Sequence, residues 1–228
     1  MKYKGFLLDL DDTLYDYDFC HSHALTKTLK HISDKFQTTN IDLQVLYYDS
    51  RKKININLVN TASSHSRLLY FQYLLEKLNI SVADNLEDIH DFYWDCYFQK
   101  LALFDGVKDF LKIYGDKVCI LTDFTLKVQL KKIRHLGIGK LIRFIVSSEE
   151  IGVEKPDKKM FINAINKLGC SIDDVCMIGD NFDKDIKGAS EVGIDSIWLN
   201  RKGQNINIGN HNFTFREIKN FNEIFKII

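Results

Sequence analysis

The stretch Gly5-Phe6-Leu7-Leu8-Asp9-Leu10-Asp11-Asp12-Thr13 runs from an apolar segment straight into three carboxylates. GFLLDL, residues 5–10, reads as a buried strand ending at Asp9, since a short apolar run suits a strand covered on both faces. Side-chain direction repeats every second residue along an extended chain, so Asp9 and Asp11 can project into one crevice. Two carboxylates there can bind a hard cation and divide acid and nucleophile roles. Taken alone, acidic residues after a strand equally suit a turn.

Four further apolar runs resemble this one: Val118 to Leu121, Ile142 to Val146, Val175 to Ile178 and Ser196 to Leu199. Helical patterns separate them. Thr125 can cap a helix carrying Leu126, Leu130, Ile133 and Leu136, which Gly137 stops. Pro156 can occupy the first turn of another, carrying Phe161, Ile165 and Leu168, which Gly169 stops. This alternation predicts an α/β fold, a Rossmann-like and mainly parallel sheet with helices on both faces. Such sheets bind ligands at the carboxyl ends of their strands.

Residues 16–100 differ in texture: they contain neither glycine nor proline. Helices are expected near 19–37, 42–60, 65–79 and 85–100. The third has Ser63 or Ser64 as cap, then Leu68, Leu69, Phe71, Leu74, Leu75 and Leu78 on an apolar face. An all-helical block between the first two strands is an inserted domain, which leaves 1–15 and 101–228 as the α/β core. Gly203 to Asn212 is expected to form a surface loop before a terminal strand and helix.

The 31 basic and 31 acidic residues cancel, so no global field draws the chain to nucleic acid or to an anionic membrane. Arg51-Lys52-Lys53 and Lys131-Lys132 read as solvated helix faces. The five cysteines have no paired or metal-ligand spacing, which predicts a reducing, cytoplasmic setting. The apolar run before Asp9 is too short for a signal peptide, and none elsewhere approaches a membrane span.

Three more segments fall where strands should end. Thr122 follows Val118 to Leu121, and its hydroxyl can donate to a phosphoryl oxygen, although a turn residue is the commoner reading. Lys155-Pro156 places a compact positive charge at a helix start. Gly179-Asp180-Asn181-Phe182-Asp183-Lys184-Asp185 follows a buried strand, and Asp180 lands at the crevice as a candidate cation ligand.

In this order the four segments resemble the haloacid dehalogenase superfamily, whose signature is DxDxT, then Ser or Thr, then Lys, then GDxxxxD. The resemblance spans the chain, because the helical insert sits where that family places its first-type (C1) cap. It implies Asp9 as nucleophile, Asp11 as general acid and base, and Thr122 and Lys155 as phosphoryl ligands. It implies an Mg²⁺ site made by the Asp9 carboxylate, the Asp11 backbone carbonyl and Asp180. Asp185 would orient Lys155 or a metal-bound water, and motif spacing favours it over Asp183 for that task. Asp123 follows Thr122 where the family often carries a small or amide residue, so its side chain is expected to point away from phosphate.

The implied activity is Mg²⁺-dependent hydrolysis of a small metabolite monoester, a nucleoside monophosphate or a sugar phosphate, through an aspartyl phosphate. A phosphosugar mutase and a non-catalytic binding module on the same fold are the alternatives. Dehalogenation has no leaving oxygen to protonate and would leave Asp11 without a task. Among weaker candidates, His21 and His23 read as polar residues on a helix. Arg67 reads as part of a capping segment rather than a substrate ligand. Phe92, Tyr93, Trp94, Tyr97 and Phe98 read as the core of the inserted domain. Partners are limited to a small phosphorylated metabolite, with no nucleic acid polymer and no membrane.

Overall fold

A computed structural model describes residues 2–206 and 214–228. Six strands form one sheet: β1 (Gly5–Leu8), β2 (Val118–Thr122), β3 (Phe144–Ser147), β4 (Val175–Gly179), β5 (Asp195–Leu199) and β6 (Phe215–Ile218). Their order is β3-β2-β1-β4-β5-β6, and every neighbouring pair is parallel. Helices α1 (Tyr17–Phe36), α2 (Leu43–Asn57), α3 (Arg67–Lys77) and α4 (Val82–Phe98) lie in sequence between β1 and β2. Then come α5 (Val107–Tyr114), α6 (Leu126–His135), α7 (Ser148–Ile151), α8 (Lys158–Leu168) and α9 (Gly188–Glu191). The chain divides into two compact units, residues 1–16 with 102–228, and residues 17–101.

In the first unit β1, β2 and β4 are buried along their whole length, as strands covered on both faces must be. Leu7 pairs in register with Cys119 and Met177, and these join Leu121 and Val146 against Met160, Phe161, Ala164 and Ile165 of α8. Phe6, pointing the other way, meets Phe110 of α5 at 5.2 Å between ring centroids. Alternate residues of one strand therefore bury against helices on opposite faces.

Strand order reverses at β1: β2 and β3 lie on one side, β4 to β6 on the other. The Asp9 amide donates to the Ile178 carbonyl at 3.0 Å, so the carboxyl ends of β1 and β4 are adjacent. This is the switch point at which parallel sheets form ligand crevices. The chain leaves and re-enters this unit side by side, because Tyr15 bridges to Leu103 and the Phe104 amide donates to the Leu14 carbonyl at 2.9 Å.

In the second unit α1 packs on α4, α4 on α3 and α3 on α2. Its core is aromatic: Tyr47, Tyr70, Phe71, Tyr93 and Tyr97 are fully buried. Each such side chain contributes on the order of 1.5–3 kcal/mol by leaving water. The aromatic run of α4 packs here as expected, with Trp94 buried and Phe92 stacked on His31 at 4.5 Å.

Several local expectations are corrected. Ser66, not Ser63 or Ser64, caps α3 by accepting from the Leu69 amide, because 62–65 form a separate 3₁₀ turn. Pro156 precedes its helix rather than entering it: α8 starts at Lys158, with the Asp157 carboxylate accepting from the Lys159 amide at 2.8 Å. Thr125 stands at the N-cap of α6, but the Glu149 carboxylate takes the Leu126 amide at 2.8 Å. Gly137 and Gly169 end α6 and α8 in the left-handed region, at φ 68° and 65°, where a Cβ is strained. The expected terminal strand is β6, followed by a 3₁₀ turn over Phe221–Lys226. Residues 207–212 of the expected Gly203–Asn212 loop lie outside the described residues.

His21 is also corrected, from a polar helix face to a buried residue whose Nδ1 lies 2.7 Å from the Tyr93 hydroxyl. Burial, reinforced by Arg67 and Arg51, pushes its pKa down to about 3. An unfolded histidine titrates near 6.5. Between these values the unfolded chain binds the extra proton, so this stabilisation is complete above pH 6.5 and is lost as pH falls toward 3. Denaturant unfolding at pH 7 and pH 5 should therefore show His21→Gln losing about 2 kcal/mol less stability on acidification than the unaltered protein. Equal losses in the two proteins would contradict a neutral buried His21.

Candidate active site

The site starts from how the chain turns after β1. Asp12 sits in the left-handed region at φ 62°, a conformation that aspartate tolerates, and the Leu14 amide donates to the Leu10 carbonyl at 3.0 Å. This turn brings the Thr13 hydroxyl back onto Asp9 Oδ2 at 2.9 Å. The Thr13 hydroxyl oxygen in turn accepts from the Asp180 amide at 3.1 Å, which ties the turn after β1 to the end of β4. Asp9 is buried, and its other oxygen accepts from Lys155 Nζ at 2.7 Å.

Lys155 Nζ also lies 2.7 Å from Asp185 Oδ1, and both residues are buried. Burial alone would discharge this ammonium, yet Asp185 and Asp9 hold its pKa well above the lysine range. The second Asp185 oxygen accepts from the Asn181 amide at 3.0 Å. Asp183, in contrast, is exposed and pairs with Lys187. Asp123 is satisfied away from this cluster, accepting from the Lys155 amide and from Lys184 Nζ, each at 2.9 Å. Lys184 also reaches Glu154 at 3.0 Å, so the extra carboxylate beside Thr122 is neutralised locally.

Among the described residues, Asp9, Asp180 and Asp185 form an acidic group whose ligand oxygens lie within 4.8 Å of one another. Burial, partly offset by Lys155, pushes Asp9 up to about 7. Burial, followed by repulsion from Asp9 and Asp185, pushes Asp180 up to about 9. Three carboxyls this close resist full ionisation unless a cation offsets their repulsion. The donors are hard oxygens, which fits a divalent ion such as Mg²⁺.

Asp11 and Thr122 form a second group, joined by α6. Lys132, fully buried, places Nζ 2.6 Å from Asp11 Oδ1. The Tyr15 hydroxyl donates to the same oxygen, and Gln129 Nε2 donates to Asp11 Oδ2 at 2.8 Å. Gln129 Nε2 also donates to the Thr122 hydroxyl. Burial works against ionisation of Asp11, but Lys132, Tyr15 and Gln129 outweigh it and hold the carboxyl below its usual range.

The family profile of haloacid dehalogenase-like hydrolases matches residues 3–193. The chain belongs to that family. Among its relatives, a ribulose-1,5-bisphosphate 5-phosphatase from Halopiger xanaduensis is 30% identical over 84% of this chain and 82% of its own. The pyrimidine 5'-nucleotidase PynA from Streptococcus pneumoniae is 30% identical over 88% of this chain and 85% of its own. The HAD-hydrolase YfnB from Bacillus subtilis, solved with magnesium bound, shares the fold with a TM-score of 0.71. It is 24% identical and covers 100% of this chain and 99% of that one. This haloacid dehalogenase-like hydrolase is thus an enzyme of phosphatase type.

Within the hydrolase, sequence reasoning missed the residues around Asp11. Lys132 was expected on a solvated face and is buried instead, because α6 turns Gln129, Lys132, Ile133 and Leu136 inward and leaves Leu130 exposed. The signal was present: residues 129, 132, 133 and 136 keep helical spacing, but two of the four are polar.

Gly179 has a separate role in holding Asp185. A Cβ at this position would lie 2.2 Å from Asp185 Oδ2, inside any allowed contact. Gly179→Ala should therefore displace Asp185 from Lys155 and lower unfolding stability by about 1–3 kcal/mol, measured by denaturant titration. Unchanged stability would mean that Asp185 is not held where the structure places it.

Proposed function

We propose that this hydrolase removes phosphate from a small metabolite monoester, a nucleoside monophosphate or a sugar phosphate, with Mg²⁺ and through an aspartyl phosphate on Asp9. The observation that carries this reading is the fixed Asp9 carboxylate, held by Lys155 and Thr13 at the strand switch point beside two further carboxylates. The ribulose bisphosphatase and the pyrimidine nucleotidase among its relatives support a small phosphorylated substrate. Five free cysteines, four of them buried, support a reducing cytoplasmic setting. Among the described residues no helix is long and apolar enough to cross a membrane. Residues 17–101 serve as the cap that sets specificity.

Asp9 and Asp180, with the Asp11 backbone carbonyl, would hold Mg²⁺. Bound there, the ion neutralises charge on the phosphoryl group. Lys155 adds a positive charge that reduces repulsion between Asp9 and a phosphate dianion, and Thr122 donates to a phosphoryl oxygen. Attack by Asp9 forms a carboxylate–phosphorus bond as the bond to the leaving oxygen breaks; Asp11, ionised in the free site, takes up a proton from solvent as substrate binds and passes it to that oxygen. Asp11 then takes a proton from the water that hydrolyses the aspartyl phosphate. Asp185, buried against Lys155, keeps the ammonium in place.

The metal assignment has a direct check. Steady-state phosphate release should require Mg²⁺, fall severely when Ca²⁺ replaces it, and return when Mg²⁺ is restored after chelation. Full activity after exhaustive chelation would sink the assignment.

The two first-motif carboxylates separate by leaving group. Asp9→Asn should abolish turnover of every substrate. Asp11→Asn should slow an alkyl phosphate by about 10²–10⁴-fold, the usual size of proton-transfer catalysis. With nitrophenyl phosphate, whose leaving group needs no proton, the same variant should give a burst of nitrophenolate about equal to the enzyme, then slow turnover. A burst slowed as severely as the alkyl reaction would refute Asp11 as general acid.

A further inference from the structure

Resting on the acid–base role given to Asp11, we propose that Gln129 and Lys132 of α6 are positioning residues. They fix Asp11 and Thr122 in one arrangement and orient the Thr122 hydroxyl toward the phosphoryl group.

The argument begins with what each atom can do. A carboxylate only accepts hydrogen bonds, so the Gln129 atom 2.8 Å from Asp11 Oδ2 must be the amide nitrogen. That NH₂ group carries two hydrogens and has two acceptors, Asp11 and Thr122 Oγ1. Accepting from Gln129 occupies a Thr122 lone pair and leaves its single hydroxyl hydrogen for another acceptor. A phosphoryl oxygen is such an acceptor. One amide thus sets the donor sense of the phosphate-binding hydroxyl and the orientation of the acid–base carboxylate.

Lys132 fixes the other Asp11 oxygen. Its ammonium is fully buried and 2.6 Å from Oδ1, an arrangement whose desolvation cost needs a strong reason. Nζ also lies 4.2 Å from the Phe124 ring centroid. Gln129 shows a similar excess of polarity over need. Its Oε1 is buried without a hydrogen-bond partner among the described residues, although an apolar side chain there would avoid that cost. Both residues face inward one helical turn apart, so α6 presents them as a pair.

Neither residue is assigned contact with substrate, so the test must separate positioning from packing. We would measure kcat and KM on an alkyl phosphate for Lys132→Met, Lys132→Arg, Gln129→Met and Asp11→Asn, and for Lys132→Met and Gln129→Met each combined with Asp11→Asn. Lys132→Met should lower kcat by about 10–100-fold with KM within about threefold, and Lys132→Arg should recover part of the loss. Gln129→Met should lower kcat and also raise KM, because Thr122 loses its orientation.

With Asp11→Asn in place, the added kcat loss from either methionine substitution should shrink to about threefold or less, since that loss runs through a carboxylate already gone, while the KM increase of Gln129→Met, which runs through Thr122, should persist. Should Lys132→Met fail to fold, Lys132→Arg and the Gln129→Met pair carry the same comparison. Losses that multiply fully in the Asp11→Asn background, or single variants with unchanged kcat, overturn the positioning role alone. An unchanged kcat for Asp11→Asn itself overturns the acid–base assignment, and with it the reason for the proposal.

Discussion

One buried ammonium organises this site. Lys155 Nζ stands 2.7 Å from Asp9 at the end of β1 and 2.7 Å from Asp185 in the turn after β4. Three segments distant in sequence therefore share one charge, in a place where none of the three could be ionised alone. Removing one partner of such a group typically costs about 3–5 kcal/mol, because the others are left charged and dry. The surrounding details serve this contact. Gly179 makes room for Asp185, the Asn181 amide holds its second oxygen, and Asp123 anchors the Lys155 backbone.

Lys155 also gives the site an asymmetry. The Asp9 side of the crevice combines an ammonium with three acids and is adapted to high charge density. The Asp11 side is a hydrogen-bonded clamp built from Lys132, Gln129 and Tyr15 on a separate helix and turn. Asp9 and Asp11 are two residues apart, yet one is pushed up by burial and the other is held down by its partners. These directions belong to the cation-free site: a divalent ion among Asp9, Asp180 and Asp185 would draw the Asp9 carboxyl back toward ionisation, whereas the Asp11 clamp favours the carboxylate, the form that acts as a base.

The sheet was legible in the sequence because its central strands are continuous apolar runs, and three of those runs pass into a residue with evident chemistry. Leu8 passes into Asp9, Leu121 into Thr122, and Ile178 into Gly179-Asp180. The four long helices between β1 and β2 were legible from periodicity and from the absence of glycine and proline. The α6 clamp was not. Its inward face mixes Gln129 and Lys132 with Ile133 and Leu136, and a pattern that equates inward with apolar selects Leu130 instead. His21 was misread in the same way, as a polar residue taken for a solvated one. Polar groups buried for a partner distant in sequence leave no periodic trace, because the partner supplies the reason for their burial.

The long connection between β1 and β2 has a consequence in polymer terms. Adjacent ends at Tyr15–Leu103 mean that the 17–101 segment enters and leaves the sheet unit at one point. Closing a flexible loop becomes harder only with the logarithm of its length, by about 0.6 kcal/mol per doubling. The inserted helices lengthen the β1–β2 connection by a little over two doublings. In chain entropy the insertion therefore weighs on the order of 1 kcal/mol against pairing of the two central strands. Sequence within the insert can drift widely, in length as well as in composition, while the strands that carry Asp9 and Thr122 keep their register.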